Sequence, residues 1–290
     1  MKISKIIALL ALLVATSVMV YAKSQMLETE QIYQEGNEAY EDLRDQIKIS
    51  RADGPDGDYS DNYNYNDDLR FSPQTVQTVP AMIDIDEINE AENPPETKQI
   101  YIPDSEIDFK ALNAINSDAV AWLYSPRTVI DYPVMKTNDY YYSLHHLPNG
   151  KKNGNGSLFL DYSSEPDFSS ILTVIYGHHM KSGSMFGSLQ GYKKQAYYEQ
   201  HPYMYLYTEQ GDYRIDLLYG CIIGAGQWSE RVFMHSDYVE ELLEYAAYNT
   251  TFKSNTSYTA GDRVVALSTC SYEFDDARYV VIGILREANE

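Results

Sequence analysis

The chain has 290 residues and a formal net charge of −21, from 43 Asp plus Glu against 22 Lys plus Arg. That length suits one ordinary domain with residues to spare, and so acidic an exterior repels phosphate, which excludes nucleic-acid binding as its principal role. Apolar residues make up 44% of the chain, yet the mean hydropathy is negative, so the polar character is concentrated in one part of the sequence.

The first element is an apolar run over residues 3–22, with Lys2 and Lys5 at its start. About 20 such residues suffice to cross a bilayer, and the two lysines orient the N-terminus to the cytoplasm. Residues 1–23 therefore read as a cytoplasmic tip and transmembrane signal-anchor, which places the body of a single-pass membrane protein outside the cell. A cleaved signal peptide is the competing reading, because Val20-Tyr21-Ala22-Lys23-Ser24 has the small and polar residues of a cleavage site. The run is longer than the ~7 to 15 residues of a typical signal core, which favours retention.

From Lys23 to Asp104 there are 20 acidic residues against six basic ones, leaving 14 of the 21 net negative charges in this stretch. Within it, Met26, Tyr33, Tyr40, Leu43 and Ile47 recur at helical spacing, and predict an amphipathic helix over residues 24–50. Residues 51–104 form an acidic linker rich in Tyr and Asp; its Asp-Gly-Pro-Asp-Gly turn signals and low hydrophobicity are those of a disordered spacer.

A compact domain is expected over residues 105–290. Ile107, Leu112, Ile115, Val120 and Trp122 mark a short helical segment, with a turn and cap at residues 116–118. Seven β-branched or aromatic runs follow, at residues 128–134, 157–161, 171–176, 203–207, 213–223, 264–269 and 279–285. Their short length and close spacing indicate a sandwich or closed barrel. One helix, residues 237–248, precedes the last two runs, with Val239, Leu242, Leu243 and Ala246 on one face.

The chemistry starts from Cys270, which ends the buried-strand pattern of residues 264–269 and so is held at a sheet edge. A strand-end Cys is also often a small buried hydrophobe, and its neighbours must decide. His178 and His179 follow another apolar strand through Gly177, where glycine permits a sharp turn, and an adjacent imidazole is what makes a thiol a nucleophile near neutral pH. Arg278 lies across a seven-residue loop from Cys270 and opens the last strand. Its guanidinium is able to bind a carbonyl or stabilise an oxyanion; a surface ion pair with Asp275 or Asp276 is the plainer alternative. Cys221 has the pattern of a buried strand residue. His145, His146, His201 and His235 lack metal-site spacing, so neither a metal nor a cofactor is expected.

Leu267-Ser268-Thr269-Cys270 resembles the sortase signature Thr-Leu-x-Thr-Cys, with Ala266 in place of the first threonine. Ser271-Tyr272-Glu273-Phe274 with Ala277-Arg278, Ile175 to Met180, Ser184 to Gly187, Ile130 to Val134 and His201-Pro202-Tyr203 are similar to class B sortases of Gram-positive bacteria, in the same order. The resemblance covers about residues 107–285; the long insert before the domain departs from it.

That resemblance implies a mainly β fold with helices: a sortase-type eight-stranded closed β-barrel, an N-terminal helix and a helix before the catalytic strand. It also implies Cys270, His178 and Arg278 as the catalytic set, His178 being preferred because it directly follows the glycine. Ser268 and Thr269 beside the nucleophile, with Phe233 and Met234 before the late helix, are the expected substrate contacts; for the last two, helix-start packing is an equal alternative. The implied partners are a secreted protein with a sorting motif of the Leu-Pro-x-Thr-Gly or Asn-Pro-x-Thr kind, and the amine of a peptidoglycan precursor or a pilin lysine. The absence of an obvious lid segment before the barrel disfavours the class C pilin polymerases. A membrane-tethered peptide-binding module without catalysis and a purely hydrolytic cysteine peptidase are the rival readings.

Overall fold

The computed structural model describes residues 2–47, 50–51, 102–103, 105–233 and 238–287, with side chains over 12–47, 102–103, 107–230 and 238–287. The stretch expected to be a linker falls almost wholly outside these residues, and the expected contact Met234 lies outside them.

Helix α1 is continuous from Lys2–Gln46, so the apolar run and the amphipathic segment are one element. Among the described residues no helix is long and apolar enough to cross a membrane; the described side chains of α1 begin at Leu12, within the apolar run. The second half of α1 docks on the domain. Tyr40, Leu43 and Ile47 are buried, the Tyr40 hydroxyl donates to Gly156 O at 2.6 Å, and the Tyr40 ring meets Tyr132 edge-on at 4.9 Å. Asn153 Nδ2 donates to Ile32 O at 2.8 Å and Asn155 Nδ2 to Asn37 Oδ1 at 2.9 Å. Gly36 permits this approach, since a Cβ there would stand 2.5 Å from Asn155 Nδ2.

Strands β1 (Ser50–Arg51) and β2 (Ser105–Glu106) form a small antiparallel pair. Helix α2 (Phe109–Ile115) is capped by Asp108, whose side chain accepts from Ala111 N at 2.8 Å. Then come β3 (Ala119–Tyr124), β4 (Asp131–Met135), α3 (Tyr140–His145), β5 (Leu158–Leu160) and β6 (Leu172–Tyr176). A 3₁₀ segment (Gly187–Lys193), α4 (Gln195–Gln200), β7 (Tyr203–Tyr207) and β8 (Asp212–Gly224) follow. The chain finishes with α5 (Ala225–Phe233), α6 (Val239–Tyr248), β9 (Val264–Cys270) and β10 (Ala277–Glu287).

Strands β3 to β10 close an eight-stranded barrel in the order β10-β8-β7-β3-β4-β5-β6-β9. The β4–β5 and β6–β9 pairs are parallel and the others antiparallel. The eighth strand is β3, which corrects the helical reading of Val120 and Trp122: Trp122 pairs with Pro133 of β4 and Tyr207 of β7 and is fully buried. A six-residue apolar run does not distinguish a buried strand from a helix by periodicity. Helix α5 was not anticipated; among its described side chains only Trp228 is a large buried apolar group.

The barrel wall separates two apolar layers. Val265, Leu267, Tyr279 and Val281 belong to the interior cluster, and the alternating Val264, Ala266, Val280, Ile282 and Ile284 to an outer one. The outer layer is closed by Trp228 of α5 and by Val239, Leu242, Leu243 and Ala246 of α6. Each such aliphatic side chain contributes roughly 1.5–3 kcal/mol on full burial, so β6, β9 and β10 are anchored on both faces and offer a rigid base to whatever stands at their ends.

Candidate active site

Cys270 is the last residue of β9 and is exposed, whereas Cys221 is buried within β8. In the β9–β10 ladder Cys270 pairs with Arg278. Ser271 N donates to Ala277 O at 2.9 Å, so the Cys270/Arg278 pair falls at a non-hydrogen-bonded position, where opposed side chains approach most closely.

On the other flank β6 runs parallel to β9, with Tyr176 level with Ser268. Gly177 N continues the contact by donating to Ser268 O at 3.3 Å, and Thr269 Oγ1 donates to Gly177 O at 2.8 Å. Cys270 and Arg278, a cross-strand pair, share the outer face of β9 and β10, and His178 lies two residues past the end of the neighbouring β6. Gly177 serves packing rather than a sharp turn: its φ is not in the left-handed region, and a Cβ would collide with Leu158 and Phe186.

His178 is held by α3, its Nε2 lying 2.8 Å from Leu144 O. A carbonyl only accepts, so Nε2 carries the hydrogen and Nδ1 is the nitrogen left to take a proton. Burial pushes the imidazole toward its neutral form, with the neighbouring His145 in the same direction; the Leu144 hydrogen bond opposes them. His179 is likewise pushed down by burial, and its Nδ1 donates to Cys270 O at 2.9 Å.

Among the expected substrate contacts, Ser268 shares the outer face with Cys270; its Oγ is buried and has no hydrogen-bond partner among the described residues. Thr269 faces inward with its hydroxyl committed to Gly177. Phe233 ends α5 with its side chain outside the described set. Sequence reasoning missed Gln190, whose Nε2 donates to Cys270 O at 3.4 Å; it lies 80 residues away with no motif to mark it. Among the described residues no group of three or more His, Cys, Asp or Glu is placed to hold a metal ion.

No protein-family model matches the chain. Over 182 residues the chain is 31% identical to Sortase B of Listeria monocytogenes, covering 61% of this chain and 74% of that protein. The chain belongs to the class B sortases. Solved sortase B structures agree: a Staphylococcus aureus sortase B–substrate complex matches with a TM-score of 0.58 at 26% identity, over 63% of this chain and 86% of that one. A Streptococcus pyogenes class B sortase involved in pilus biogenesis matches with a TM-score of 0.56 at 29% identity, over 61% and 97%. The eight-stranded barrel is thus the sortase fold, and sortases are a family of cysteine transpeptidases.

Proposed function

We propose that this class B sortase cleaves a C-terminal sorting motif after its threonine and joins the released acyl group to an amine. The supporting observation is the cross-strand pair Cys270/Arg278 at the end of β9, with His178 just past the end of the adjacent β6. His178 takes the Cys270 thiol proton as the sulfur attacks the threonine carbonyl and forms a C–S bond; the amide C–N bond then breaks as the imidazolium so formed gives that proton to the departing nitrogen. The thioester is then attacked by the amine of a cell-wall peptide precursor or a pilin lysine. His178 takes a proton from that nitrogen, and the thiolate leaves. Arg278 offers its fork of donors to the oxyanion in both steps. In this reading the motif contacts Phe233 and Met234, and Ser268 and Thr269 support the nucleophile from beneath.

The enzyme is tethered by the apolar start of α1 with its barrel outside the cell, and residues 51–104 act as a spacer. Supporting the tether are the exposed Leu12, Leu13, Val14, Val18, Met19 and Val20. Incubation of the full chain in detergent with quenched peptides of the Leu-Pro-x-Thr-Gly and Asn-Pro-x-Thr kinds, with and without an amine, tests the chemistry. Cleavage after Thr, an acyl adduct on Cys270 and amine-dependent ligation are expected, and Cys270→Ala abolishes all three. Cleavage that survives Cys270→Ala would overturn the mechanism; cleavage without ligation would make the protein a hydrolase, and adduct-free binding a peptide-binding module.

A further inference from the structure

At a non-hydrogen-bonded pair the backbone groups of Cys270 point away from β10, toward the side where β6 has already ended at Tyr176. The Cys270 carbonyl is therefore beyond the reach of the ladder, and two side chains take the place of the missing strand: His179 Nδ1 at 2.9 Å and Gln190 Nε2 at 3.4 Å. Gln190 belongs to the 3₁₀ segment, and so does Lys193, which grips the next residues of the same loop. Its Nζ donates to Ser271 Oγ at 3.0 Å and pairs with the Glu273 carboxylate. Ser271 Oγ donates its hydrogen to the Glu273 carboxylate and lies 3.4 Å from Gln190 Oε1.

The network is sheltered on its Gln190, Ser271 and Lys193 side. Gln190 and Ser271 are buried, and the Lys193 side chain is 15% exposed, with its ammonium 5.1 Å from the centre of the Tyr279 ring. Burial raises the Glu273 carboxyl, but bonds from Lys193 and Ser271 outweigh it and hold the group below its usual range. The Glu273 side chain is 35% exposed, so salt screens the pair in part and the buried Gln190 and Ser271 form its sheltered base.

We propose that His179, Gln190 and Lys193 are positioning residues, a clamp that fixes the strand end carrying Cys270 and thereby sets the thiol between His178 and Arg278. The two adjacent histidines then have separate duties: His178 moves protons and His179 holds the nucleophile's backbone. The inference rests on the transpeptidase reading for its effect on turnover, but the effect on Cys270 is independent of it.

The test uses the full chain in detergent, with His179→Ala, His179→Asn, Lys193→Met and Lys193→Arg, each with its melting temperature. Two readouts are compared: the pH profile of Cys270 alkylation by iodoacetamide, and kcat and KM on the cleaved peptide. His179→Ala and Lys193→Met are expected to lower kcat about 10- to 100-fold with KM changed less than about threefold, since misplacement of a reacting group costs in the transition state. The same variants shift the alkylation profile, while His179→Asn and Lys193→Arg, which keep a donor in place, recover most of both. Wild-type alkylation and kcat in His179→Ala and Lys193→Met would overturn the clamp. So would losses that only follow the melting temperature and are not recovered by the conservative variants. If wild-type protein cleaves no peptide while alkylation still follows the clamp, the transpeptidase reading fails and the clamp stands.

Discussion

Arg278 stands directly across the β9–β10 ladder from Cys270, and its Nη1 donates to Ala277 O at 3.1 Å. That bond fixes one arm of the guanidinium, so the side chain approaches the thiol from a set direction. Arg278→Lys keeps the charge and loses the fork. It is expected to lower kcat/KM by about 10²–10³-fold, the scale of one lost oxyanion donor, with the melting temperature unchanged. Steady-state peptide cleavage beside a thermal melt checks this; an Arg278→Lys enzyme of wild-type rate would remove Arg278 from the chemistry.

The docking of α1 depends on Gly36, because Asn153 and Asn155 occupy the volume a side chain would need while their amides are committed to α1. Gly36→Ala gains roughly 1 kcal/mol of helix propensity against that clash, whereas Gly36→Leu has no comparable offset. Gly36→Leu should undock the helix, exposing Tyr40, Leu43 and Ile47, and make residues 32–47 sensitive to protease. Limited proteolysis with mass spectrometry reads the effect, and an unchanged digestion pattern would mean that this close contact does not hold α1.

His201 gives the fold a pH dependence. Burial pushes its imidazole down to about 4, with Arg127 adding to the effect and a bond to Pro126 O opposing it; Nε2 is buried with no hydrogen-bond partner among the described residues. Unfolded histidine titrates near ~6.5, so between those values the unfolded chain binds the proton and the folded one does not. Stability from this group is thus present above pH ~6.5 and is lost as pH falls toward about 4, on the order of 3 kcal/mol in all. Denaturant melts from pH 7 to 4 on wild type and His201→Gln check it: the variant should show the shallower slope.

Legibility of the site in the sequence followed the range of the contacts. Cys270 and Arg278 are joined by one hairpin, so their juxtaposition needs only the recognition of two strands and a loop. His178 depends on a parallel pairing of β6 with β9, which spacing does not specify, and it was reached through the resemblance of its motif. The wall strand β3 was misread because Ala119–Tyr124 follows α2 with no glycine or proline between them, and α5 went unseen because, among its described side chains, only Trp228 is a large buried apolar group. Gln190 and Lys193 were out of reach for another reason: their role exists only because β6 stops level with Ser268, two residues before Cys270, and the 3₁₀ segment folds back over the gap.

Asp161 links two of the elements that hold His178. It is fully buried, and its Oδ2 accepts from the hydroxyl of Tyr140, which opens α3, at 2.8 Å and from that of Tyr176, the last residue of β6, at 3.1 Å. Its Oδ1 accepts from Ser163 N at 2.9 Å and from Ser163 Oγ. Since α3 presents the Leu144 carbonyl to His178 and β6 delivers His178 itself, this carboxylate ties the imidazole's support to its strand. Asp161→Ala removes the shared acceptor of the partly buried Tyr140 and Tyr176 hydroxyls and of Ser163 N, and each sheltered donor left without a partner costs about 1–3 kcal/mol. A fall in stability of roughly 3 kcal/mol is expected, with a loss of kcat in the fraction that remains folded. Asp161→Asn keeps one acceptor oxygen but turns an amide toward groups that donate, and should fall between the two. If Asp161→Ala lowers stability while the folded enzyme keeps its full kcat, Asp161 supports the barrel alone and the placement of His178 does not depend on it.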